Sequence, residues 1–277
     1  MPAFVEKLLG AARRNQSLLC IGLDPEPARL PACLRSEADP ILAFNRAIIE
    51  ATADLVCAYK PNLGFYEALG QAGLEALAKT LAVIPKDVPV IGDAKRGDVG
   101  HTMHAYARAL FDHFGFDAVT ASPYLGLEAL EPLLARADRG VFVLCRTSNP
   151  GAREFQDLVV TPGPGEEPVP LYLAVAKGVA AVDRHGNAGL VVGATYPEEL
   201  RRVRRVAPKL PILIPGVGAQ AGDLERSVRF GCDERGEKAI INSARQIIYA
   251  AAGNDFAAAA RGAALALREE INRFRSW

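Results

Sequence analysis

Eight short apolar runs punctuate the chain: Leu18–Leu23, Leu55–Tyr59, Val88–Ile91, Ala118–Ala121, Val141–Cys145, Gly189–Val192, Ile212–Ile214 and Ala239–Ile241. They are rich in Val and Ile and mostly continuous, not alternating, which is the pattern of parallel strands covered on both faces. Segments of helical periodicity lie between them, at Leu42–Ala53, Tyr66–Val83, Thr102–Phe114, Glu128–Arg136, Leu171–Val182, Glu198–Val206 and Asp223–Phe230. Pro197 stands where a proline opens a helix. Eight β-then-α units predict an α/β fold, a (β/α)8 TIM barrel formed as a single domain over residues 1–277. A doubly wound open sheet is the alternative. Regular units without a second domain favour the barrel. Met1–Arg14 reads as an amphipathic N-terminal helix and Phe256–Leu267 as the final one. Between the fifth and sixth strands, Asn149–Pro170 is rich in Pro and Gly and reads as an insertion in one βα loop, either a lid or a surface excursion.

Composition adds exclusions. Half of the 277 residues are apolar, enough for a large core. Lys+Arg and Asp+Glu both number 32, so no basic nucleic-acid footprint is expected. No run approaches the roughly 18 apolar residues of a membrane span, and the N-terminus lacks the apolar core of a signal peptide. Cys20, Cys33, Cys57, Cys145 and Cys232 are odd in number and form no CxxC pair, which predicts packed thiols in a reducing, cytoplasmic setting.

The densest chemistry lies in Ile91-Gly-Asp93-Ala-Lys95-Arg-Gly-Asp98. In a strand, residues n and n+2 share a side, so Asp93 and Lys95 are expected side by side where strand becomes loop, with Asp98 at the start of the next helix. A lysine held between carboxylates stays protonated and is placed to deliver a proton. That suits a bond cleavage that leaves a carbanion. In barrels the site forms at the C-terminal strand ends. Those ends carry Asp24, Lys60, Asp93 with Lys95, Ser122, Arg146-Thr-Ser148-Asn149, Pro215-Gly-Val-Gly218-Ala-Gln220 and Asn242-Ser-Ala244-Arg245. The glycines after the seventh strand free backbone N–H groups, and Gln220 and Arg245 add donors suited to phosphate.

Three other patterns carry less. Gly216, Gly218 and Ala221 fit a dinucleotide fingerprint, but the motif sits in the seventh unit and no acidic ribose ligand ends the next strand. His101, His104 and His113 lack the partners of a metal site, so no metal is expected. Arg201-Arg202-x-Arg204-Arg205 reads as a solvated helix face.

Together, Gly22-Leu-Asp24-Pro, Tyr59-Lys60-Pro-Asn62, Asp93-x-Lys95-x-x-Asp98, Thr147-Ser148-Asn-Pro-Gly, Pro215-Gly-Val-Gly218-Ala-Gln220 and Asn242-Ser-Ala244-Arg245 resemble the orotidine 5′-phosphate decarboxylase family, in its longer bacterial form (type 2). The resemblance covers nearly the whole chain in order. It implies cofactor-free conversion of orotidine 5′-monophosphate to uridine 5′-monophosphate, the last step of de novo UMP synthesis, by a homodimer with shared active sites. It implies a charged array of Lys60, Asp93, Lys95 and Asp98, with Lys95 the proton donor to C6. Asp98 and Thr102 would act across the dimer interface. Asp24 would bind the ribose, Ser148 the pyrimidine, and Gln220 and Arg245 the phosphate, helped by backbone near Gly218 and Ala244. A family tyrosine near the phosphate has no secure counterpart. The Pro215–Asp223 loop is the expected closing element.

Three rival readings share parts of this pattern. A Mg²⁺-dependent keto-sugar-phosphate enzyme of the same barrel type shares the Asp and Lys positions. A non-catalytic nucleotide-binding barrel would keep the fold alone. A Schiff-base aldolase using either lysine is disfavoured by the flanking carboxylates.

Overall fold

A computed structural model describes residues 3–165, 167–217 and 223–275. Eight parallel strands form one sheet: β1 (Leu19–Gly22), β2 (Ala58–Lys60), β3 (Ile91–Arg96), β4 (Ala118–Ala121), β5 (Gly140–Arg146), β8 (Ala188–Val192), β9 (Ile212–Pro215) and β10 (Ala239–Ser243). A two-stranded hairpin, β6 (Val159–Val160) with β7 (Val169–Pro170), lies in the insertion. The large sheet runs β2-β1-β10-β9-β8-β5-β4-β3, and parallel bridges Tyr59–Val90 and Asn62–Asp93 bring its two ends together. The sheet is thus a nearly closed barrel, as the apolar runs predict.

Alternation along each strand divides the interior into layers. Cys20, Ala58, Ile91, Ala118, Phe142, Val191, Leu213 and Ile240, one from every barrel strand, form a single buried cluster. Helix α1 (Ala3–Arg14) contributes Phe4, Val5, Leu8, Leu9 and Ala12 to the same cluster. Phe4 meets Phe142 edge to face at 5.8 Å. Lys7 ties the helix to Asp117 at 2.8 Å. The N-terminal helix is therefore a plug in the barrel's lower mouth. The outward strand residues, such as Leu19, Ile21, Tyr59, Val141 and Ile241, pack into a second and larger cluster under the helices.

Several boundaries differ from the pattern. The second strand begins at Ala58, because Ala53–Leu55 is still a tight helical turn. The predicted Tyr66–Val83 helix is two, α3 (Leu63–Glu67) and α4 (Gly70–Val83), separated where Gly70 takes φ +62°. The Thr102–Phe114 segment starts earlier as α5 (Gly100–Ala107) and widens at its end, where Phe114 N–H reaches Ala109 O. The last helix runs on to Phe274. No helix among the described residues is long and apolar enough to cross a membrane.

If α1 is part of the core, Phe4→Ala should cost about 3–5 kcal/mol, as for a fully buried aromatic. Urea unfolding measures this; a loss below about 1 kcal/mol would show that the barrel does not rest on its plug.

Candidate active site

Two residues above the apolar layer, the strands and the end of β8 carry the next positions of the same alternation. These are Gly22, Lys60, Asp93, Thr120, Leu144, Gly193, Pro215 and Asn242. Here the lumen turns polar. Lys60, 4% exposed, donates from Nζ to Asp93 Oδ2 at 2.8 Å. Lys95 Nζ reaches Asp93 Oδ1 at 2.6 Å, and Thr120 Oγ1 donates to the same oxygen at 2.9 Å. Burial alone would push the Asp93 carboxyl pKa up, but Lys60 and then Lys95 outweigh it and hold the group well below the usual range. Lys60 is the mirror case: burial pulls its pKa down, and Asp93 and Asp24 more than restore it. Asp93 is therefore an anion and Lys60 a cation throughout the working pH range.

The route by which Lys95 reaches Asp93 is not simple alternation. Gly92 pairs with Val119 and Arg96 with Ala121, so Asp93, Ala94 and Lys95 together face Thr120 alone. This bulge puts Lys95 in the left-handed region at φ +49°. The motif thus lies inside β3, not where strand becomes loop as expected. Lys95 keeps an exposed side chain (47%) while its ammonium turns back onto the buried carboxylate.

Around this array the cleft has two lobes that share Lys60, Asp93 and Pro215. One, of about 420 Å³, is lined also by Lys95, Thr120, Leu144, Thr147, Ser148, Asn149 and Gln156. The other, of about 230 Å³, is lined also by Asp24, Asn62, Gly216, Asn242, Ser243, Ala244 and Arg245. Asp24 Oδ1 accepts from Asn62 N–H at 3.1 Å. Ser148 fits because Gly193 lies against its backbone: a Cβ there would come within 2.6 Å of Ser148 Cα. Arg245 is exposed and pairs with no carboxylate among the described residues, leaving its fork free at the rim.

The insertion shapes the first lobe. Arg146, 1% exposed at the end of β5, grips Asp157 with two hydrogen bonds of 2.7 and 3.1 Å and stacks on Tyr196. Gln156 accepts from Thr147 N–H at 2.8 Å and donates to Thr147 Oγ1 at 3.0 Å. The segment after Ser148 is thus braced against the strand end, with Phe155, Leu158 and Val159 facing outward.

The comparisons with known proteins place the chain in a family. Residues 17–261 match the profile of the orotidine 5′-phosphate decarboxylase / HUMPS family. The chain belongs to that family. It is 56% identical over 274 residues to an orotidine 5′-phosphate decarboxylase of Thermomicrobium roseum, covering 99% of this chain and 96% of that one. It is 53% identical to the Herpetosiphon aurantiacus protein of the same name, covering 95% and 96%. It superposes on the Leishmania donovani OMP decarboxylase structure with a TM-score of 0.84 at 40% identity, covering 99% of each chain.

Of the residues singled out by the family motifs, Lys60, Asp93, Lys95, Asp24, Ser148, Ala244 and Arg245 line the one cleft. Asp98 and Thr102 do not. Asp98 lies before α5, not at its start, and Oδ1 accepts from Val99 N–H at 2.8 Å; Thr102 is half-buried on the helix. Gly218 and Gln220, with most of the Pro215–Asp223 loop, lie outside the described residues. Asn62 and Asn242, named within the motifs but given no role of their own, line the second lobe. Thr120 and Gln156 were missed: Thr120 stands two residues past an inward strand position, and Gln156 carried no signal. His101, His104 and His113 are exposed, and no group of three metal-ligating side chains occurs among the described residues. The arginine cluster is not wholly solvated: Arg204 turns inward to the carbonyls of Gly231 and Leu210.

Burial raises the Asp24 carboxyl pKa by more than Lys60 lowers it. The folded chain therefore holds this proton to higher pH than the unfolded one, and stability is lost as pH rises from the ordinary aspartate value of about 3.9. Asp24→Asn should raise Tm at pH 7, with the gain closing as pH falls below about 4. A variant less stable than the parent at pH 7 would show that Lys60 depends on the Asp24 charge.

Proposed function

We propose that this chain converts orotidine 5′-monophosphate to uridine 5′-monophosphate and CO₂ without a cofactor. The observation that carries the reading is a single buried carboxylate, Asp93, held between two lysine ammonium groups at the floor of a cleft in a member of this family.

Loss of CO₂ from C6 breaks one C–C bond and leaves the electron pair on a ring carbon with no adjacent carbonyl to spread it. The site has to supply a fixed positive charge there, then a proton. Lys95 does both: its ammonium lies over the developing anion, transfers a proton to C6 and regains one from solvent. Lys60, buried and already bonded, holds Asp93 in place and stays protonated. Asp93 would lie near the departing carboxylate. Ser148 would bond the pyrimidine and Asp24 the ribose hydroxyls. Arg245 and Gln220, with backbone near Ala244 and Gly218, would hold the phosphate. Binding energy from that distant group can organise the reacting end.

The finer reading is a homodimer in which Asp98 and Thr102 complete the partner's site. Two features support it. Neither residue faces the cleft of its own chain, and Val99, Tyr124 and Leu125 leave apolar side chains exposed on the adjoining loops. A cytoplasmic location fits the five free thiols, of which Cys20, Cys57 and Cys145 are buried.

Purified protein should consume orotidine 5′-monophosphate, followed by its absorbance, at the same rate with and without EDTA. No turnover by folded protein would overturn the reading and favour the sugar-phosphate or binding-only alternatives, and EDTA-sensitive turnover would overturn its cofactor-free part. Lys95→Ala should lose turnover by at least about a thousandfold and still bind product; normal turnover would remove Lys95 from the chemistry.

Asp98→Ala and Lys95→Ala should each be inactive alone. On mixing and reassortment, about half the dimers carry both lesions in one site and none in the other, restoring about a quarter of the parent activity. No recovery in verified mixed dimers would confine Asp98 to its own chain.

A further inference from the structure

The bulge in β3 raises a question that the lysines and carboxylates leave open: what holds Lys95 in a left-handed conformation? A non-glycine residue there is strained and persists only where its surroundings fix it. Lys95 is also opposite a break in the ladder, so its N–H has no strand carbonyl to meet. The partner it finds is a side chain. Lys95 N–H donates to Thr120 Oγ1 at 2.9 Å. The same hydroxyl donates to Asp93 Oδ1 at 2.9 Å. An amide N–H can only donate, so the hydroxyl proton is committed to the carboxylate and both bonds have a fixed direction. Thr120 is 1% exposed, and β-branching restricts its rotamer.

We infer that Thr120 is a positioning residue: its hydroxyl sets the Lys95 backbone and the Asp93 carboxylate relative to one another, so that the ammonium is aimed before substrate arrives. The inference rests on the decarboxylase reading above. Asp93 Oδ1 has two donors, Lys95 Nζ and Thr120 Oγ1. When Lys95 gives its proton to C6 it becomes a neutral amine and its hold on Asp93 weakens. The Thr120 bond does not change in that step. It keeps Oδ1 directed while Lys60 keeps Oδ2, and the array stands ready for reprotonation of Lys95. Sequence alone hides this, since a threonine in an apolar strand reads as packing.

The test compares Thr120→Val, which keeps the shape and removes the hydroxyl, with Thr120→Ser, which keeps the hydroxyl. In a precisely set site a displacement of about 1 Å costs on the order of 100-fold. The expected result is a kcat lower by about 10–100-fold in Thr120→Val, with uridine 5′-monophosphate affinity within about threefold of the parent chain. Thr120→Ser should recover most of the kcat. If Thr120→Val does not fold, Thr120→Ala carries the same comparison. Unchanged kcat in the folded hydroxyl-less variant, an equal loss in Thr120→Ser, or product affinity falling in step with kcat would each overturn the role. Parent protein without turnover would instead sink the decarboxylase reading and this role with it; an active parent beside an unaffected variant sinks this role alone.

Discussion

One buried carboxylate sets the terms for the whole upper end of the barrel. An anion taken out of water is costly unless charge and hydrogen bonds surround it, and removing one partner of such a group strands the other. Asp93 meets this condition by drawing Lys60 from the neighbouring strand, Lys95 from its own and a hydroxyl from the strand on its other side. Three adjacent strands are thereby committed to one side chain. The bulge in β3 follows from the same demand. Without the extra residues opposite Thr120, regular pairing would continue and Lys95 would have no left-handed turn by which to fold back.

The rest of the fold keeps this cluster from moving. Below it lies a buried apolar layer with one residue from every barrel strand, packed against α1, which separates the lysines from the lower mouth. Beside it the insertion is fixed by the Arg146–Asp157 pair and by the Gln156 amide on Thr147. The segment is therefore a braced wall in its first half, not a free lid. Side chains carried by strands are held more closely than those carried by loops, and the charged groups here are on strands or directly at their ends. The anion-binding groups at the rim are different in kind: Arg245 is exposed and unpaired among the described residues, suited to a ligand that arrives and leaves.

Much of this was legible in the chain. The continuous Val/Ile runs gave all eight strands, because a strand covered on both faces has no polar side to interrupt it. Lys60, Asp93 and Asp24 could be assigned to one rim from strand ends alone. What was hidden depended on pairing between strands. Alternation predicted that Asp93 and Lys95 lie together, which they do, but by way of a bulge that no local pattern marks. Thr120 had an apolar setting and an ordinary strand propensity, so its two hydrogen bonds could not be read from its neighbours in sequence. Gln156 sits in a segment without periodicity and reaches the site only because Arg146, a strand-end residue, pulls Asp157 inward. The start of β2 slipped because Leu55 and Val56 are as apolar as a strand, yet Leu55 closes a tight turn at the end of a helix and Val56 caps it. Asp98 was expected to begin a helix and instead bonds the next backbone N–H before it.

The charge inventory of the cleft explains why a rigid arrangement suits the proposed chemistry. Within one chain, the formal charges of Lys60 and Lys95 match those of Asp24 and Asp93 around the cleft. Decarboxylation does not create charge; it moves a negative charge from a carboxylate to a ring carbon a bond away. A neutral set of fixed ions responds to such a shift through position alone. The cation must be nearer the end point than the starting point, and the anion the reverse. In water this gradient would require solvent to reorganise during the step, whereas here it is set when the chain folds. In the proposed reaction the buried Asp93 would thus be a source of the field, and the groups that hold it in place would set where that field acts.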